Sequence, residues 1–212
     1  FVMPSEILQV QETNQALESM KGKDLLNYER VFCHDYPDYL LKSGYLKIKT
    51  KTAELVPFKF NKVQKILDQK ISELQSAGKP VRIWLLKFRQ GGCSTFVEAK
   101  IFSNTSQREN INPLIMADQK EKSSHLFEMS KLFQEQLEKD RPHLARPLKK
   151  SNEKKLEWEY LHSQIIITSA ENGNAARAFT YQLVHLSEVA FFRNLNTVLK
   201  ALLQAVPDHK DT

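Results

Sequence analysis

Cysteine is scarce in this 212-residue chain, which has only two, Cys33 and Cys93. They lie far apart and belong to no paired spacing of metal ligands, so neither a zinc site nor a disulfide framework is indicated. The triplet Cys33-His34-Asp35 carries side chains that can bind metals, but a structural zinc site needs four ligands. We therefore interpret the triplet as ordinary core or surface.

Long apolar runs are also missing. No stretch approaches the roughly 18 apolar residues of a membrane span, and no signal segment is present, so we expect an intracellular chain. The hydrophobic content of 41% is nevertheless enough to bury the core of one domain. The net charge of +6 suits a partner that carries phosphates, although basic domains of other kinds are common.

Glycine is scarce as well, with six residues, and two of them are adjacent at Gly91 and Gly92. They lie between an apolar run at 81–86, which predicts a strand, and a predicted helix at 94–102. This order of strand, glycine loop and helix is typical of a phosphate-binding loop. In such loops, backbone N–H groups close around phosphate oxygens and a hydroxyl reaches Mg²⁺.

The loop departs twice from the usual pattern G-x-x-x-x-G-K-[ST]. When Gly92 and Ser94 are aligned with the final Gly and Ser, Lys87 takes the place of the first Gly and Cys93 that of the Lys. A β-turn with a Lys and an Arg nearby by chance is the alternative interpretation, because short motifs produce false matches.

The remaining segments alternate between predicted helices and strands. We predict helices at 5–21, at 61–75 with Asn61 as the N-cap, and at 121–137. We predict an extended segment at 45–50, strands at 112–117 and 181–186, and a hairpin of 156–160 with 164–168. The remaining segments are a basic surface loop at 140–155 and a loop at 169–178. Alternation of strands with helices implies a parallel sheet.

A second chemical signal follows the predicted strand at 181–186, which ends at Ser187-Glu188. Many P-loop ATPases place an acidic pair at such a strand end, one acid for the metal and one to activate water. Only the second acid is present here. A carboxylate at a strand end is also a common surface feature, but its combination with the glycine loop upstream favours nucleotide chemistry.

Together these segments resemble the ATPase domain of the large terminase subunit of tailed bacteriophages, the motor that packages double-stranded DNA into procapsids. The loop at 87–95 is similar to the altered terminase P-loop R-Q-x-G-x-[ST]-T, in which a Lys at the loop's start replaces the usual one. Segment 185–192, HLSEVAFF, is similar to the family's H-x-[SD]-E-x-A-[FW]. Further similarities are an adenine-recognition segment at 56–64, the strand after the P-loop helix at 111–119 and an S-A-x(n)-R stretch at 169–177. The resemblance covers 47–194.

The resemblance implies an α/β fold, a P-loop NTPase of the ASCE type with a mainly parallel central sheet flanked by helices. It implies an N-terminal helical arm or lid region at 1–46 and a P-loop ATPase domain at 47–212. Terminase large subunits also carry an RNase H-like nuclease domain with acidic metal ligands. That C-terminal nuclease domain has no counterpart in these residues, and we expect no nuclease activity from them.

The resemblance also implies a site for ATP and Mg²⁺. Glu188 would orient or deprotonate the attacking water, Ser94 would bind Mg²⁺, and Lys87 would neutralise β/γ-phosphate oxygens. Arg89 would sense the γ-phosphate or stabilise transition-state charge within the subunit, and Arg177 would do so from a neighbouring subunit. The nucleotide contacts are assigned to Phe58 and Gln64, which would hold adenine, and to Lys87, Arg89, Gln90, Gly91, Gly92, Cys93, Ser94 and Thr95.

The implied partners are double-stranded DNA, the portal protein and the small terminase subunit, in the host cytoplasm and without a membrane. We expect a homo-oligomeric ring on the capsid and a mainly monomeric isolated domain. We assign DNA binding to the densest basic cluster in the chain, for which a solvated charged loop is the alternative: Arg146, Lys149, Lys150, Lys154 and Lys155.

Two other function classes stay open. A superfamily-2 helicase or another DNA-dependent P-loop ATPase would use the same kinds of segment, but helicases generally keep G-K-[ST] and an Asp-Glu pair. A non-enzymatic nucleic-acid-binding module would use the basic cluster and leave the glycine loop empty. ATP turnover by the purified chain separates this module from the two ATPases.

Overall fold

Helices and short strands alternate along the chain, and the computed structural model describes residues 22–88, 91–171 and 180–207. The helices are α1 (Lys23–Asp35), α2 (Pro37–Lys42), α3 (Lys62–Ser76), α4 (Cys93–Gln107), α5 (Lys120–Asp140) and α6 (Leu195–Ala205), with a 3₁₀ turn at Val189–Phe191. The strands are β1 (Lys47–Lys49), β2 (Leu55–Pro57), β3 (Leu114–Ala117), β4 (Leu148–Ser151), β5 (Lys155–Trp158), β6 (Gln164–Ser169) and β7 (Val184–Leu186).

The central sheet has five strands in the order β4-β5-β6-β3-β7, and β1 pairs with β2 in a separate antiparallel ribbon. Strand β3 is parallel to both neighbours, with Ile115 opposite Ile167 of β6 and His185 of β7. Strands β4, β5 and β6 pair antiparallel. In the part of the chain that the structure describes, the fold is therefore mixed α/β with a mixed sheet that is parallel only around β3. The P-loop NTPase type stays a prediction.

Helices cover both faces of the parallel part of the sheet. Because successive strand residues point to opposite faces, Ile115 packs into a core with α4 and α5, whereas Leu114 and Met116 pack against α6. All four residues of β3 are buried, as expected for a continuously apolar strand covered on both sides. The start of α5 lies against the sheet, because Ser123 forms hydrogen bonds with Ala117 of β3 and Thr168 of β6.

Several predicted elements are confirmed. Helix α3 begins after Asn61, whose side chain accepts a hydrogen bond from the Gln64 backbone N–H, and β3 lies within the predicted strand at 112–117. Helix α5 contains the predicted helix at 121–137, and β5 with β6 forms the predicted hairpin. The predicted helix at 5–21 lies outside the described residues.

Helix α4 runs to Gln107, five residues beyond the predicted end at Phe102. The extra turn is polar, so its sequence alone favours a helix weakly. It is stabilised because Thr105 Oγ1 donates to the Ile101 carbonyl oxygen and Gln107 Nε2 donates to that of Leu144. The prediction of a loop throughout 140–155 is likewise wrong, because β4 lies within it and pairs with β5.

The prediction of a strand at 81–86 is wrong for the described structure. The segment has no strand geometry, and its side chains include Trp84 at 69% exposure, with Phe88 just beyond it at 67%. An apolar run forms a buried strand only where a neighbouring strand supplies hydrogen bonds. Among the described residues the sheet ends at β7, and no strand pairs with 81–86.

The described part of the predicted N-terminal region, 22–46, packs into the main core. Cys33, Leu40 and Leu46 are fully buried there beside Phe96 of α4. Lys100 of α4 also donates to both carboxylate oxygens of Asp38 at 2.8 Å. Helices α1 and α2 thus belong to the same packed body as α4.

Candidate nucleotide-binding site

The glycine loop is fastened to helix α3 by two side-chain amides. Asn61 Nδ2 donates to the Gly91 carbonyl oxygen at 3.1 Å, and Gln64 Nε2 donates to that of Gly92 at 2.8 Å. Gly92 is the N-cap of α4 and has a φ of 73°, in the left-handed region where glycine is favoured. The loop path is therefore defined by contacts between segments that are distant in sequence.

Gln64 acts here as a loop anchor, which differs from the predicted contact with adenine. Its side chain is buried, and its Oε1 accepts from the Asn61 backbone N–H at 2.8 Å while its Nε2 holds Gly92. Both polar atoms of the amide are thus engaged. Phe58 is buried too and packs against Phe60 in a T-shaped arrangement, with ring centroids 5.6 Å apart, so its ring belongs to the core and is not available to stack on a base.

The start of α4 offers an anion a positive environment. The first N–H groups of a helix lack partners within the helix and carry partial positive charge. The first turn of α4 contains no acidic residue, and Ser94 and Thr95 lie there half-buried. The Cys93 side chain is buried beside Gly91, so this residue presents its backbone to the loop.

Lys87 is exposed in the segment before the loop. Arg89, Gln90 and Arg177 lie outside the described residues, so their predicted roles stay predictions.

Two carboxylates lie at the end of the parallel strands. Asp118 follows β3 and Glu188 follows β7, and the Lys122 ammonium contacts Asp118 Oδ2 at 2.8 Å and Glu188 Oε2 at 3.0 Å. The hydrogen bond that the ammonium donates to Asp118, followed by the one that it donates to Glu188, raises the pKa of Lys122. Our sequence interpretation missed Asp118 and Lys122, although a carboxylate directly after a buried apolar strand is a recognisable signal.

A buried pair joins α4 to β7. His185 Nδ1 lies 2.6 Å from Glu98 Oε1, the Glu98 side chain is fully buried, and its Oε2 has no hydrogen-bond partner. Burial raises the pKa of the Glu98 carboxyl above its ordinary value of 4.5, and His185 opposes this rise. The pair therefore connects the helix that begins at the glycine loop with the strand that leads to Glu188.

We expect Glu98→Gln to remove part of the pH dependence of stability. Above pH 4.5 the unfolded chain releases the Glu98 proton while the folded chain retains it, so the free energy of unfolding falls with rising pH until the raised folded pKa is reached. Glutamine cannot titrate, and this fall should disappear. Urea unfolding of both proteins across this pH range measures it, with exposed Glu128→Gln as the control. Parallel curves for Glu98→Gln and wild type would contradict the assignment.

The predicted DNA-binding cluster lies on and beside the β4–β5 hairpin. Lys149 and Lys155 both pair with Glu157, and these two lysines lower the Glu157 pKa. Arg146 is half-buried, and burial lowers the pKa of its guanidinium. Of the described acidic groups, none pairs with Lys150 or Lys154, so the positive charges of these two lysines are not neutralised by an ion pair.

No family model matches the chain, and no curated protein is similar enough to count as a relative. Across 22–88, 91–171 and 180–207, no helix has both the length and the apolar character needed to cross a membrane. These same ranges hold no group of three or more His, Cys, Asp or Glu side chains able to bind a metal ion.

Proposed function

We propose that this chain binds ATP with Mg²⁺ at the glycine loop and hydrolyses the bond between its β- and γ-phosphates. We propose further that it is the ATPase domain of a motor that moves double-stranded viral DNA through a portal, with a small terminase subunit as partner. One observation carries the proposal. The carbonyl groups of Gly91 and Gly92, just before α4, accept hydrogen bonds from Asn61 and Gln64 at the start of α3, and the Glu98–His185 pair connects α4 to the strand that leads to Glu188.

The residues at the start of α4 fit a phosphate and its metal. Backbone N–H groups from Gly91 to Thr95 would bind phosphate oxygens, and the Ser94 hydroxyl would contact Mg²⁺, which proteins commonly hold through one or two ligands plus substrate phosphates. When bound, Mg²⁺ neutralises charge on the phosphates. Lys87 would add positive charge from the loop's beginning, and Glu188 would accept a proton from the attacking water. Arg89 and Arg177 remain the proposed sources of a stabilising guanidinium.

The loop assignment predicts opposite results for two substitutions. Lys87→Ala should reduce Mg-ATP turnover by ~10²-fold or more, since it removes a positive charge from the transferring phosphate, and should leave the fold intact because Lys87 is exposed. Cys93→Ala should have a mild effect because only the backbone of Cys93 contributes. Phosphate release measures turnover, circular dichroism monitors the fold, and the exposed Lys79→Ala serves as control.

A severe loss in Cys93→Ala, together with normal turnover in Lys87→Ala, would reverse the assignment. Absence of Mg-ATP turnover from the wild-type chain, with or without DNA, would favour the non-enzymatic nucleic-acid-binding module.

We place the DNA contact of the proposed motor at Lys150 and Lys154, which no described acidic group neutralises. A motor must hold phosphates without reading bases, so binding should be independent of sequence and fall steeply between about 50 and 200 mM salt. Fluorescence anisotropy with duplex DNA measures the salt slope. The double variant Lys150→Ala/Lys154→Ala should reduce the magnitude of the salt slope by about two, since each phosphate contact contributes about one to the slope. The double variant Lys149→Ala/Lys155→Ala should reduce the slope less. Equal salt slopes in the two double variants would show that DNA does not bind at Lys150 and Lys154.

A further inference from the structure

The first turn of α5 is fixed against the end of the sheet. Ser123 Oγ donates to the Thr168 carbonyl oxygen at 2.7 Å and accepts from the Ala117 backbone N–H at 3.0 Å, which attaches this turn to β6 and β3. Lys122 is the neighbouring residue, so its backbone has a defined position relative to both strands. The ends of β3 and β7 are also adjacent, because the Ser187 backbone N–H donates to the Met116 carbonyl oxygen.

Lys122 uses this position to contact both carboxylates. The Asp118 side chain is only 10% exposed, its Oδ2 accepts from Lys122, and its Oδ1 is buried without a hydrogen-bond partner. The Glu188 side chain is 46% exposed, and within the described residues Lys122 provides the hydrogen bond to its carboxylate. The ammonium also lies 5.2 Å from the ring centroid of Phe191, in the 3₁₀ turn that follows Glu188.

Without the ammonium, two negative carboxylates would lie together at the strand ends. Like charges at this range repel, and Glu188 is the more exposed of the two, so it would turn toward solvent while buried Asp118 stayed in place. The ion pair between Lys122 and Glu188 is exposed and contributes little to stability, so its main effect is on the orientation of the Glu188 carboxylate.

We propose that Lys122, with its charge balanced by Asp118, is a positioning residue that holds the Glu188 carboxylate in the direction required to activate water. This inference rests on the proposed ATPase function. General-base catalysis depends on geometry, and a displacement near 1 Å reduces the rate by up to about 10²-fold.

Steady-state kinetics on the full chain test the proposal. Lys122→Met should lower kcat for Mg-ATP by about tenfold to a hundredfold while the KM for ATP stays within about twofold, since Lys122 acts through the Glu188 carboxylate and not on the nucleotide. Lys122→Arg should recover most of the rate because it restores the positive charge. Lys131→Met is the matched control, because Lys131 lies on the same helix, pairs with Glu128 at 2.8 Å and lies 5.1 Å from the Phe127 ring. It should change neither parameter.

An activity-independent measurement separates this proposal from the proposed function. In ¹⁵N NMR spectra of the lysine ammonium groups, Glu188→Gln should shift the Lys122 signal and leave that of Lys131 in place. If the wild-type chain shows no turnover, the proposed function fails, and the Lys122 signal still decides whether the contact with Glu188 exists. A Lys122 signal that does not respond, or a wild-type kcat in Lys122→Met, would overturn the positioning role.

Discussion

Glu188→Gln is expected to slow ATP hydrolysis by ~10²-fold or more while ATP binding is retained, which is the scale of losing a general base. Glu188 lies two residues after the end of β7, and Lys122 contacts its carboxylate. Its φ of 58° places a non-glycine residue in the left-handed region, which costs about 1–2 kcal/mol. Backbone strain of this kind often occurs at functional sites.

Single-turnover hydrolysis and equilibrium ATP binding should be measured on the same preparations. Glu128→Gln is the matched control, since Glu128 is an exposed carboxylate paired with a lysine of α5 in the same way. We expect wild-type rates from this control. Near-normal turnover in Glu188→Gln would remove Glu188 from the mechanism, and lost binding would show that its main contribution is structural.

Gly92→Ala is expected to abolish ATP binding and to destabilise the fold. A Cβ at this position would lie 2.8 Å from Gln64 Nε2 and 3.2 Å from Asn61 Nδ2. Gln64 cannot move away freely, because its amide holds the Gly92 carbonyl and caps α3. Alanine must also adopt a φ of 73°, which by itself costs about 1–2 kcal/mol.

Gly78→Ala separates the two effects. Gly78 has a φ of 67°, but a Cβ there would meet no atom within 4 Å, so only the cost of the backbone conformation applies. Urea unfolding should show a larger loss for Gly92→Ala than for Gly78→Ala, and calorimetry should show ATP binding lost only in the former. Equal losses of stability would mean that the Gln64 amide imposes no constraint. Retained ATP binding would show that the loop tolerates a changed path.

Elements defined by neighbouring residues were predictable from the sequence. The Asn61 cap and the Gln three residues later form a capping box within one turn, and the confirmed start of α3 follows from that pairing. The apolar run of β3 and the helical spacing of α5 are similarly local signals. The spacing of apolar residues in β3 and α5 shows whether one face or both faces of the element are buried, and it does not depend on which element covers them.

Elements that depend on distant partners were not predictable in the same way. The run at 81–86 has the composition of a strand but no strand beside it, whereas the lysine-rich β4 forms because β5 pairs with it. Strand propensity depends strongly on context because pairing and packing supply most of the stabilisation. The same reason explains why the last turn of α4, which Leu144 helps to stabilise, was missed.

The sequence by itself determined the glycine pair before a helix, the apolar segment before Glu188 and the local capping of α3. Only the tertiary structure decided that Gln64 anchors Gly92, that Phe58 is a core residue, and that Lys122 joins Asp118 to Glu188. Side-chain hydrogen bonds form between groups that the fold brings within about 3 Å, and such proximity between segments far apart in the chain has no periodic signature. The residue types were therefore visible in the sequence, while their partners depended on the packing of α3, α4 and α5 around the sheet.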